Sequence, residues 1–221
     1  MADRLRAGRW ARYTDPSALC HDHFRWRSSV DHVNYASLCF LIGQMGGRPQ
    51  TILETGVSAW GTDSTRLFDS YVRSFGGAFW SVDIDSQRVA WLRKSVGGAT
   101  RLVCDDSVVF LDRWVGEHPG EGADVVYLDS WDVDFSAPLP AAEHCLRELE
   151  AVTPALRAGA LLLIDDSPGT LADVPVAARE SAPALYAEFG AWPGKGMLAQ
   201  TFLAGRGIRP LRHGYQALYR F

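Results

Sequence analysis

Short apolar runs separated by helical stretches dominate the chain after residue 49. Five of these runs are near-continuous rather than alternating: residues 51–57, 78–84, 100–104, 123–128 and 160–164. Strands that are buried on both faces of a parallel sheet have this pattern. The stretches between them carry apolar residues at helical spacing: residues 65–75, 86–96, 108–115 and 141–156. This alternation predicts a single doubly wound α/β domain, with a mostly parallel sheet and helices on both faces.

The two ends of the chain depart from this alternation. Residues 15–45 have a helical pattern that ends in glycines and a proline. Residues 1–49 are therefore expected to form a helical cap or lid segment, and residues 50–221 the main domain. Near the carboxyl terminus, residues 197–204 and 215–221 are two apolar runs split by glycine and proline. They predict an antiparallel hairpin that completes the sheet.

Composition excludes several classes of protein. With 221 residues, 47% hydrophobic residues and a formal charge of -4, the chain suits one folded domain and has no basic excess for nucleic acid. It contains no run of 18 apolar residues and no apolar stretch typical of a secretory signal at the N-terminus, so we expect no membrane span. The four cysteines are scattered without a CxxC pair, which favours a reduced, cytoplasmic protein without a zinc site.

The acidic residues are unevenly distributed. Of 26 acidic residues 18 are Asp, and 11 of these lie between Asp83 and Asp166. Many follow predicted strands directly, where the ligands of open α/β sheets bind. Clustered carboxylates repel one another, so this edge of the sheet is expected to bind something cationic.

The turn after the first strand reads ETGVSAWGTDST, which is neither a dinucleotide-binding GxGxxG nor a phosphate-binding loop. Gly56 permits the backbone to approach a ligand closely. Glu54 would repel a pyrophosphate but suits an ammonium group. Asp83, at the end of the second strand, is placed to accept hydrogen bonds from both hydroxyls of a ribose, whereas Asp85 is expected to cap the next helix.

Five motifs in order, ETGVS, VDID, CDDS, YLDSWD and LLLIDD, resemble the successive motifs of class I S-adenosylmethionine-dependent methyltransferases. The resemblance covers roughly residues 50–168. It implies S-adenosylmethionine as cofactor, bound by a set of residues from three strand ends. Glu54, Gly56 and Ser58 would line its methionine end, Asp83 would take the ribose, and Asp106 and Ser107 would lie beside the adenine.

A narrower resemblance concerns Asp129 and the pair Asp165 and Asp166. They are similar to the metal triad of divalent-metal O-methyltransferases, a group that includes catechol O-methyltransferase and the macrocin- and novobiocin-type sugar O-methyltransferases. The catechol enzyme has Asp-Asn where this chain has Asp-Asp. All-oxygen ligation suits Mg²⁺ or another hard divalent cation. The resemblance implies methyl transfer to a hydroxyl of a small molecule, such as a sugar or an aromatic natural product. In the alternative, Asp165 or Asp166 merely caps the following loop.

Methyl transfer to a hydroxyl also requires a general base. Asp132 stands where the catechol-type motif carries a lysine, and is the first candidate. Asp134 is the second and His144 the third, although a surface position for His144 is an equal alternative. Lys195, in a Pro-Gly-Lys-Gly turn, contacts the substrate or is a solvated lysine.

Three histidines near the N-terminus, His21, His23 and His32, have no acidic or cysteine partner at ligand spacing. They are expected to be surface or lid residues rather than metal ligands.

The sequence leaves three other functions to compare with an O-methyltransferase. The first is a noncatalytic or metal-independent protein of the same fold that binds S-adenosylmethionine. The absence of GxGxxG argues against the second, a nucleotide-binding oxidoreductase. The third, a nucleic-acid methyltransferase, is disfavoured by the acidic balance and by the lack of an Asn/Asp-Pro-Pro-Tyr motif after the fourth strand. The expected partner is a hydroxylated small molecule, without nucleic acid or membrane, and a homo-oligomer stays open.

Overall fold

One sheet of seven strands organises the protein, in the order β3-β2-β1-β4-β5-β7-β6. The computed structural model describes residues 12–57 and 61–221. The strands are β1 Gln50–Thr55, β2 Gly77–Asp83, β3 Thr100–Cys104, β4 Ala123–Leu128, β5 Leu156–Ile164, β6 Pro210–His213 and β7 Ala217–Arg220. Strands β1 to β5 pair in parallel, and β7 pairs antiparallel with both β5 and β6. The predicted doubly wound, mostly parallel sheet with an antiparallel edge is confirmed.

Helices cover both faces of this sheet. In the described part of the chain they are α1 Pro16–Arg27, α2 Tyr35–Met45, α3 Ser64–Phe75, α4 Ser86–Arg93, α5 Ser107–Glu117, α6 Leu139–Val152, α7 Ala182–Phe189 and α8 Met197–Gly205. Two short 3₁₀ turns, Thr153–Ala155 and Val176–Ala178, connect longer elements. None of these helices is long and apolar enough to cross a lipid bilayer.

Neighbouring residues of each central strand point into different hydrophobic clusters. Ile52 packs with residues of α1, α2 and α3, whereas the adjacent Leu53 packs with α5, α6 and α8. Because both faces are buried, the strands read as continuous apolar runs in the sequence. The N-terminal helices α1 and α2 contribute residues such as Phe24 and Leu41 to the same cluster as the sheet.

The predicted carboxyl-terminal hairpin is wrong in its first strand. Residues 197–204 belong to helix α8, and the hairpin is formed by β6 and β7 instead. The run Met-Leu-Ala-Gln-Thr-Phe-Leu-Ala is rich in good helix formers, and an apolar run of this length does not distinguish a buried strand from a buried helix. Ala199 and Leu203 then pack against Cys145 and Leu149 of α6.

The expectation of a fully reduced protein is also wrong. Helices α1 and α2 pack against each other, and Cys20 and Cys39 form a disulfide between them, with Cα atoms 5.4 Å apart. Their separation of 19 residues carries no recognisable spacing signal, because only the packing of two helices brings them together. Cys104 and Cys145 are free thiols.

Candidate active site

The carboxyl ends of β4 and β5 bring three aspartates together. Asp129 follows β4, and Asp165 and Asp166 follow β5, its neighbour in the sheet. Each of them offers a carboxylate oxygen that lies within 4.8 Å of the others. Asp129 and Asp165 are buried, and Asp166 is half-buried. The three residues singled out by the metal-triad resemblance therefore form one cluster.

Neutral side chains fix the orientation of these three carboxylates. Each carboxylate accepts a hydrogen bond from a phenol or an amide: Tyr127 Oη donates to Asp129 Oδ2 (2.9 Å), Gln216 Nε2 to Asp165 Oδ1 (2.6 Å), and Tyr215 Oη to Asp166 Oδ1 (2.6 Å). The amide of Gln216 also donates to Tyr127 Oη, at 3.1 Å. These donors were not identified from the sequence, although a Tyr and a Gln inside apolar strand runs are a signal that could have been used.

A buried ammonium group lies against the same cluster. Lys195 Nζ is 2.7 Å from Asp129 Oδ1 and 3.4 Å from Asp166 Oδ2, and its side chain is only 2% exposed. The alternative of a solvated lysine is therefore wrong. Burial alone would lower the pKa of Lys195, but Asp129, Asp166 and Asp165 raise it well above its usual range. Lys195 is thus an ammonium ion, and with all three carboxylates ionised the cluster has a formal charge of -2.

The charges in the cluster act strongly on one another. Burial, then repulsion by Asp129 and Asp166, raises the pKa of Asp165 well above its usual range. Burial also raises the pKa of Asp166, against the opposing effect of Lys195. Asp166 has a left-handed backbone, with φ 43°, which Asp tolerates better than most residues. A divalent cation would relieve this repulsion, so the electrostatics fit the predicted ligand.

Glycines allow the loops around the cluster to approach one another. Gly56 has φ 80°, and a Cβ atom there would collide with the carbonyl oxygen of Asp129. A Cβ atom on Gly194 would collide with the carbonyl oxygen of Asp166. Gly56 was predicted to let a ligand approach the backbone closely. In this structure it is the loop after β4 that approaches Gly56 closely. The loop of Lys195 depends in the same way on Gly194.

A pocket of about 360 Å³ opens beside the three aspartates. Its other walls come from the segment between α1 and α2, the loop between β1 and α3, the loop after β4 and the turn before β7: they are His32, Val33, Asn34, Thr62, Asp132, Val133, Phe135 and Tyr215. Asp132, the first candidate base, is exposed and lines this pocket. Asp134 does not line it, and hydrogen bonds from the Ser136 hydroxyl and backbone lower the pKa of Asp134.

A second pocket lies on the other side of the loop after β4. Asp83 lines it together with Gly56, Ser107, Trp131 and other residues. The carboxylate of Asp83 accepts hydrogen bonds from the backbone N–H groups of residues 57 and 85, at 3.0 and 2.7 Å, which fix its orientation. Asp106 and Ser107 both line this pocket, and their place beside an adenine stays a prediction.

Two of the aspartates on this edge are helix caps. Asp106 accepts hydrogen bonds from the N–H groups of residues 108 and 109 at the start of α5. Asp85 does the same at the start of α4, which confirms the predicted cap. Ser58 lies outside the described residues.

His144 is buried, not a surface residue as in one of its two interpretations. Its side chain is 7% exposed, its Nε2 lies 2.8 Å from Ser107 Oγ, and its ring is 5.1 Å from that of Trp131. It lines the pocket of Asp83 and is not among the residues that line the pocket of the three aspartates.

The N-terminal histidines differ from one another. His32 lines the pocket beside the three aspartates, and its position on a lid stays a prediction. His23 is buried, and its Nε2 lies 2.7 Å from the carbonyl oxygen of Thr62, so a surface position is wrong for this residue. None of the three belongs to the candidate metal cluster found among the described residues.

Glu54 is enclosed beneath helix α3. Its side chain is fully buried and accepts hydrogen bonds from Ser64 Oγ (2.6 Å), Thr65 Oγ1 (2.6 Å) and Ser81 Oγ (2.5 Å). Burial raises the pKa of Glu54 from 4.5 to about 8, and the three hydroxyl donors oppose this shift. Direct contact of Glu54 with an ammonium group stays a prediction.

Comparisons with known proteins add the identity of the fold. No family model matches the chain, and no curated protein matches it in sequence. Among solved structures, the MycE methyltransferase of the mycinamycin pathway, in complex with Mg, SAH (S-adenosylhomocysteine) and mycinamycin VI, matches 94% of the chain with a TM-score of 0.62 and 18% identity. The chain spans 54% of that protein, about half its length.

Two further structures match with similar coverage of this chain. The TDP-rhamnose 3'-O-methyltransferase CalS11 matches 99% of the chain and 92% of its own length, with a TM-score of 0.60 and 18% identity. An O-methyltransferase from Bacillus cereus in complex with SAH matches 100% and 98%, with a TM-score of 0.50 and 11% identity. At these identities the likeness shows the fold: the chain has the Rossmann-like fold of class I O-methyltransferases.

The raised pKa of Glu54 gives a prediction about stability and pH. Between about pH 4.5 and about pH 8 the carboxyl group of Glu54 keeps its proton in the folded state, whereas in the unfolded state it loses that proton. Glu54 should therefore make the free energy of unfolding fall by up to about 1.4 kcal/mol per pH unit across this window. In Glu54→Gln this contribution is absent, so the variant should gain stability relative to the wild type as the pH rises.

Urea denaturation at a series of pH values checks this prediction. Glu143→Gln is the matched control, because Glu143 is exposed on α6. If the two variants and the wild type show the same pH dependence, Glu54 does not hold a proton in the folded state at neutral pH.

Proposed function

We propose that the protein is an S-adenosylmethionine-dependent O-methyltransferase that uses a divalent cation, most simply Mg²⁺, and methylates a hydroxyl of a small molecule. The observation that carries this proposal is the cluster of Asp129, Asp165 and Asp166 beside an open pocket of about 360 Å³. A second, acidic pocket adjoins it across one loop, on a fold shared with O-methyltransferases.

The pocket of Asp83 has the chemistry of a site for S-adenosylmethionine. The carboxylates of Asp83, Asp105 and Asp106 line it, which suits a ligand with a sulfonium and an ammonium group. The same charges would repel the pyrophosphate of a dinucleotide. Two arginines outside the lining pair with two of these carboxylates: Arg88 lies 3.6 Å from Asp83 and Arg113 lies 2.7 Å from Asp105. In this proposal Asp83 accepts hydrogen bonds from the ribose hydroxyls, and Ser107, His144 and Trp131 surround the adenine. Structures of MycE and of the Bacillus cereus enzyme contain SAH, the demethylated form of this cofactor.

The cluster of three aspartates has the donor set of a hard divalent cation. All its candidate ligands are carboxylate oxygens, which Mg²⁺ prefers. With Lys195 the cluster carries about -2, which a divalent cation would neutralise. Asp129, Asp165 and Asp166 are the residues proposed to hold it. The MycE complex contains Mg, which is a property of that protein.

In this proposal, the side chains that line the two pockets have different roles in methyl transfer. A bound divalent cation would supply the positive charge that lowers the pKa of an acceptor hydroxyl. Asp132, exposed at the edge of the same pocket, is proposed to accept the proton of that hydroxyl as its oxygen takes the methyl group from the sulfonium. His144 is proposed as a contact of the cofactor, because it lines the other pocket. The loop of residues 129–132 contributes to both pockets and sets their relative position.

The walls of the larger pocket favour a ring-bearing acceptor. His32, Phe135 and Tyr215 offer three rings, and Val33 adds an apolar surface. Sugars and aromatic natural products present ring faces of this kind together with neighbouring hydroxyls. MycE was solved with mycinamycin VI, and CalS11 is a TDP-rhamnose 3'-O-methyltransferase. We propose a hydroxylated sugar or aromatic natural product as the acceptor.

One observation favours a second candidate, a metal-independent protein of the same fold. Lys195 already places a positive charge between Asp129 and Asp166. In that candidate the ammonium replaces the cation. Removal of divalent ions distinguishes the two, because the metal-independent protein keeps its function in EDTA.

Binding of the cofactor is the first test of the proposed function. Calorimetric titration with SAH should show binding by the wild type, and Asp83→Asn should weaken it by at least about tenfold, since a charged acceptor of hydrogen bonds is lost. Asp85→Asn is the matched control, because Asn also caps helices and should leave the affinity unchanged. Absence of binding by the wild type would refute the methyltransferase proposal.

Loss of the cation gives a separate prediction. Asp165→Ala should abolish calorimetric binding of Mg²⁺ and lower by about a hundredfold or more the transfer of labelled methyl groups to a panel of sugars and catechols. Binding of SAH should be retained, since Asp165 does not line the pocket of Asp83. Asp112→Ala, an exposed aspartate on α5, is the control. Transfer that survives both Asp165→Ala and EDTA contradicts the metal-dependent mechanism.

The role of Asp132 is tested on rate and binding together. Asp132→Asn should lower kcat by about a hundredfold while KM for the acceptor changes little, because the variant keeps the shape of the side chain but not its basicity. Asp134→Asn, in the same loop but outside the pocket, should leave both constants unchanged. An unchanged kcat in Asp132→Asn would move the base to another group.

A further inference from the structure

Asn34, on the segment between α1 and α2, reaches the cluster of three aspartates from far away in the sequence. It is 4% exposed and lines the pocket beside Asp129, Asp165 and Asp166. Its Nδ2 lies 3.5 Å from Asp165 Oδ2, across 131 residues of chain. No motif in the sequence had marked Asn34 as a residue of the site.

The side chain of Asn34 does not make the hydrogen bond that its position at the start of a helix would predict. Asn34 occupies the N-cap position of α2, where Asn side chains commonly accept hydrogen bonds from the first turn. Here the side chain makes no capping hydrogen bond. It turns instead toward Thr62 and Asp165, and its two contacts, at 3.4 and 3.5 Å, are at the outer limit for hydrogen bonds.

The carbonyl oxygen of the Asn34 side chain has no hydrogen-bond partner although it is buried. A buried amide oxygen without a partner is unfavourable, and such atoms are uncommon in folded proteins. The missing partner is a hydrogen-bond donor or a cation. Because the residue lines the pocket of three carboxylates, a cation bound by those carboxylates would supply it.

The geometry around Asp165 accommodates this partner. A half-turn of the Asn34 amide exchanges Nδ2 and Oδ1, and the oxygen then occupies the position that is 3.5 Å from Asp165 Oδ2. Two oxygens bound to one Mg²⁺ or Mn²⁺ are at most about 4.2 Å apart, twice the bond length of about 2.1 Å. Without a cation the NH₂ group of Asn34 faces the carboxylate of Asp165, because a negatively charged oxygen attracts a hydrogen-bond donor and repels the amide oxygen.

We propose that Asn34 is a fourth, neutral oxygen ligand of the divalent cation, contributed by the N-terminal helical segment. This inference rests on the cation site of the proposed function. A neutral amide adds a ligand without adding charge, so that three carboxylates, Lys195 and a divalent cation stay balanced. An octahedral shell then has two positions left, which suits two neighbouring oxygens of an acceptor.

A hydrogen-bonded chain holds the start of α2 against the cluster in the absence of the cation. The Ser37 hydroxyl donates to Gln216 Oε1, and Gln216 Nε2 donates to Asp165 Oδ1 at 2.6 Å. The position of Asn34 is therefore fixed by groups other than its own amide. Such support from a second layer of residues is what a ligand of a metal site needs.

Calorimetric titration of the full-length protein with MnCl₂ alone tests the proposal without an acceptor. Asn34→Ala should bind Mn²⁺ at least about tenfold more weakly than the wild type. Asn34→Asp, which keeps an oxygen of nearly the same shape, should bind at least as tightly as the wild type. Val30→Ala is the control, because Val30 is exposed in the same segment and should leave the affinity unchanged.

The melting temperature of the metal-free proteins provides a second measurement. Asn34→Ala removes an unpartnered buried oxygen, no capping bond, and only two long contacts of Nδ2, at 3.4 and 3.5 Å, so its melting temperature should be unchanged or higher. A merely structural Asn34 would give the opposite pattern, a lower melting temperature and unchanged Mn²⁺ affinity, and would overturn the proposal. So would weaker binding by Asn34→Asp than by Asn34→Ala. If the wild type binds no Mn²⁺, the cation site of the proposed function fails and the proposal fails with it, whereas unchanged affinity in Asn34→Ala refutes the fourth ligand alone.

Discussion

The interaction on which this edge of the protein depends is the repulsion among three carboxylates that the sheet forces together. Asp129 follows β4, and Asp165 and Asp166 follow the adjacent parallel strand β5, so strand spacing brings the three residues together. Burial first, and then repulsion by Asp129 and Asp166, raises the pKa of Asp165. Lys195 and three neutral donors compensate part of this repulsion, and about two negative charges are left for a cation. The left-handed backbone of Asp166 and the close loop packing at Gly194 are consequences of holding this arrangement.

The position of β1 in the sheet explains why two pockets meet here. Strand β1 lies between β2 and β4, so the strand order reverses beside it, and ligands of such sheets bind at this point. The segments that follow β2 and β3 line the pocket of Asp83. The segments that follow β4 and β5 line the pocket beside the three aspartates. The tight contact of Gly56 with the Asp129 carbonyl closes the gap between them. A donor and an acceptor bound on the two sides would therefore face each other across a single loop.

Residue positions that follow strand ends were predicted correctly from the sequence, whereas contacts that depend on packing between distant segments were not. The five parallel strands and the three aspartates were predictable because continuous apolar runs end in carboxylates. Lys195 contacts Asp129 although 66 residues separate them in the sequence. The disulfide joins two helices whose contact no sequence pattern predicted. Helix α8 was misread as a strand because its apolar run is as short as a strand. Lys195, which sets the net charge of the site together with the aspartates, was thus the part of the site that was hardest to predict from the sequence.

Residues 28–34, between α1 and α2, form part of the wall of the pocket beside the three aspartates. Helices α1 and α2 share a hydrophobic cluster with the sheet, and the Cys20–Cys39 disulfide joins them to each other. Moving either helix would expose that cluster, which is costly for residues as large as Phe24 and Leu41. The connecting residues 28–34 contribute His32, Val33 and Asn34 to the pocket and contain none of that cluster's buried residues. Among residues 12–45, changes in access to the pocket beside the three aspartates therefore fall most easily on this short connection, which also carries the proposed fourth ligand.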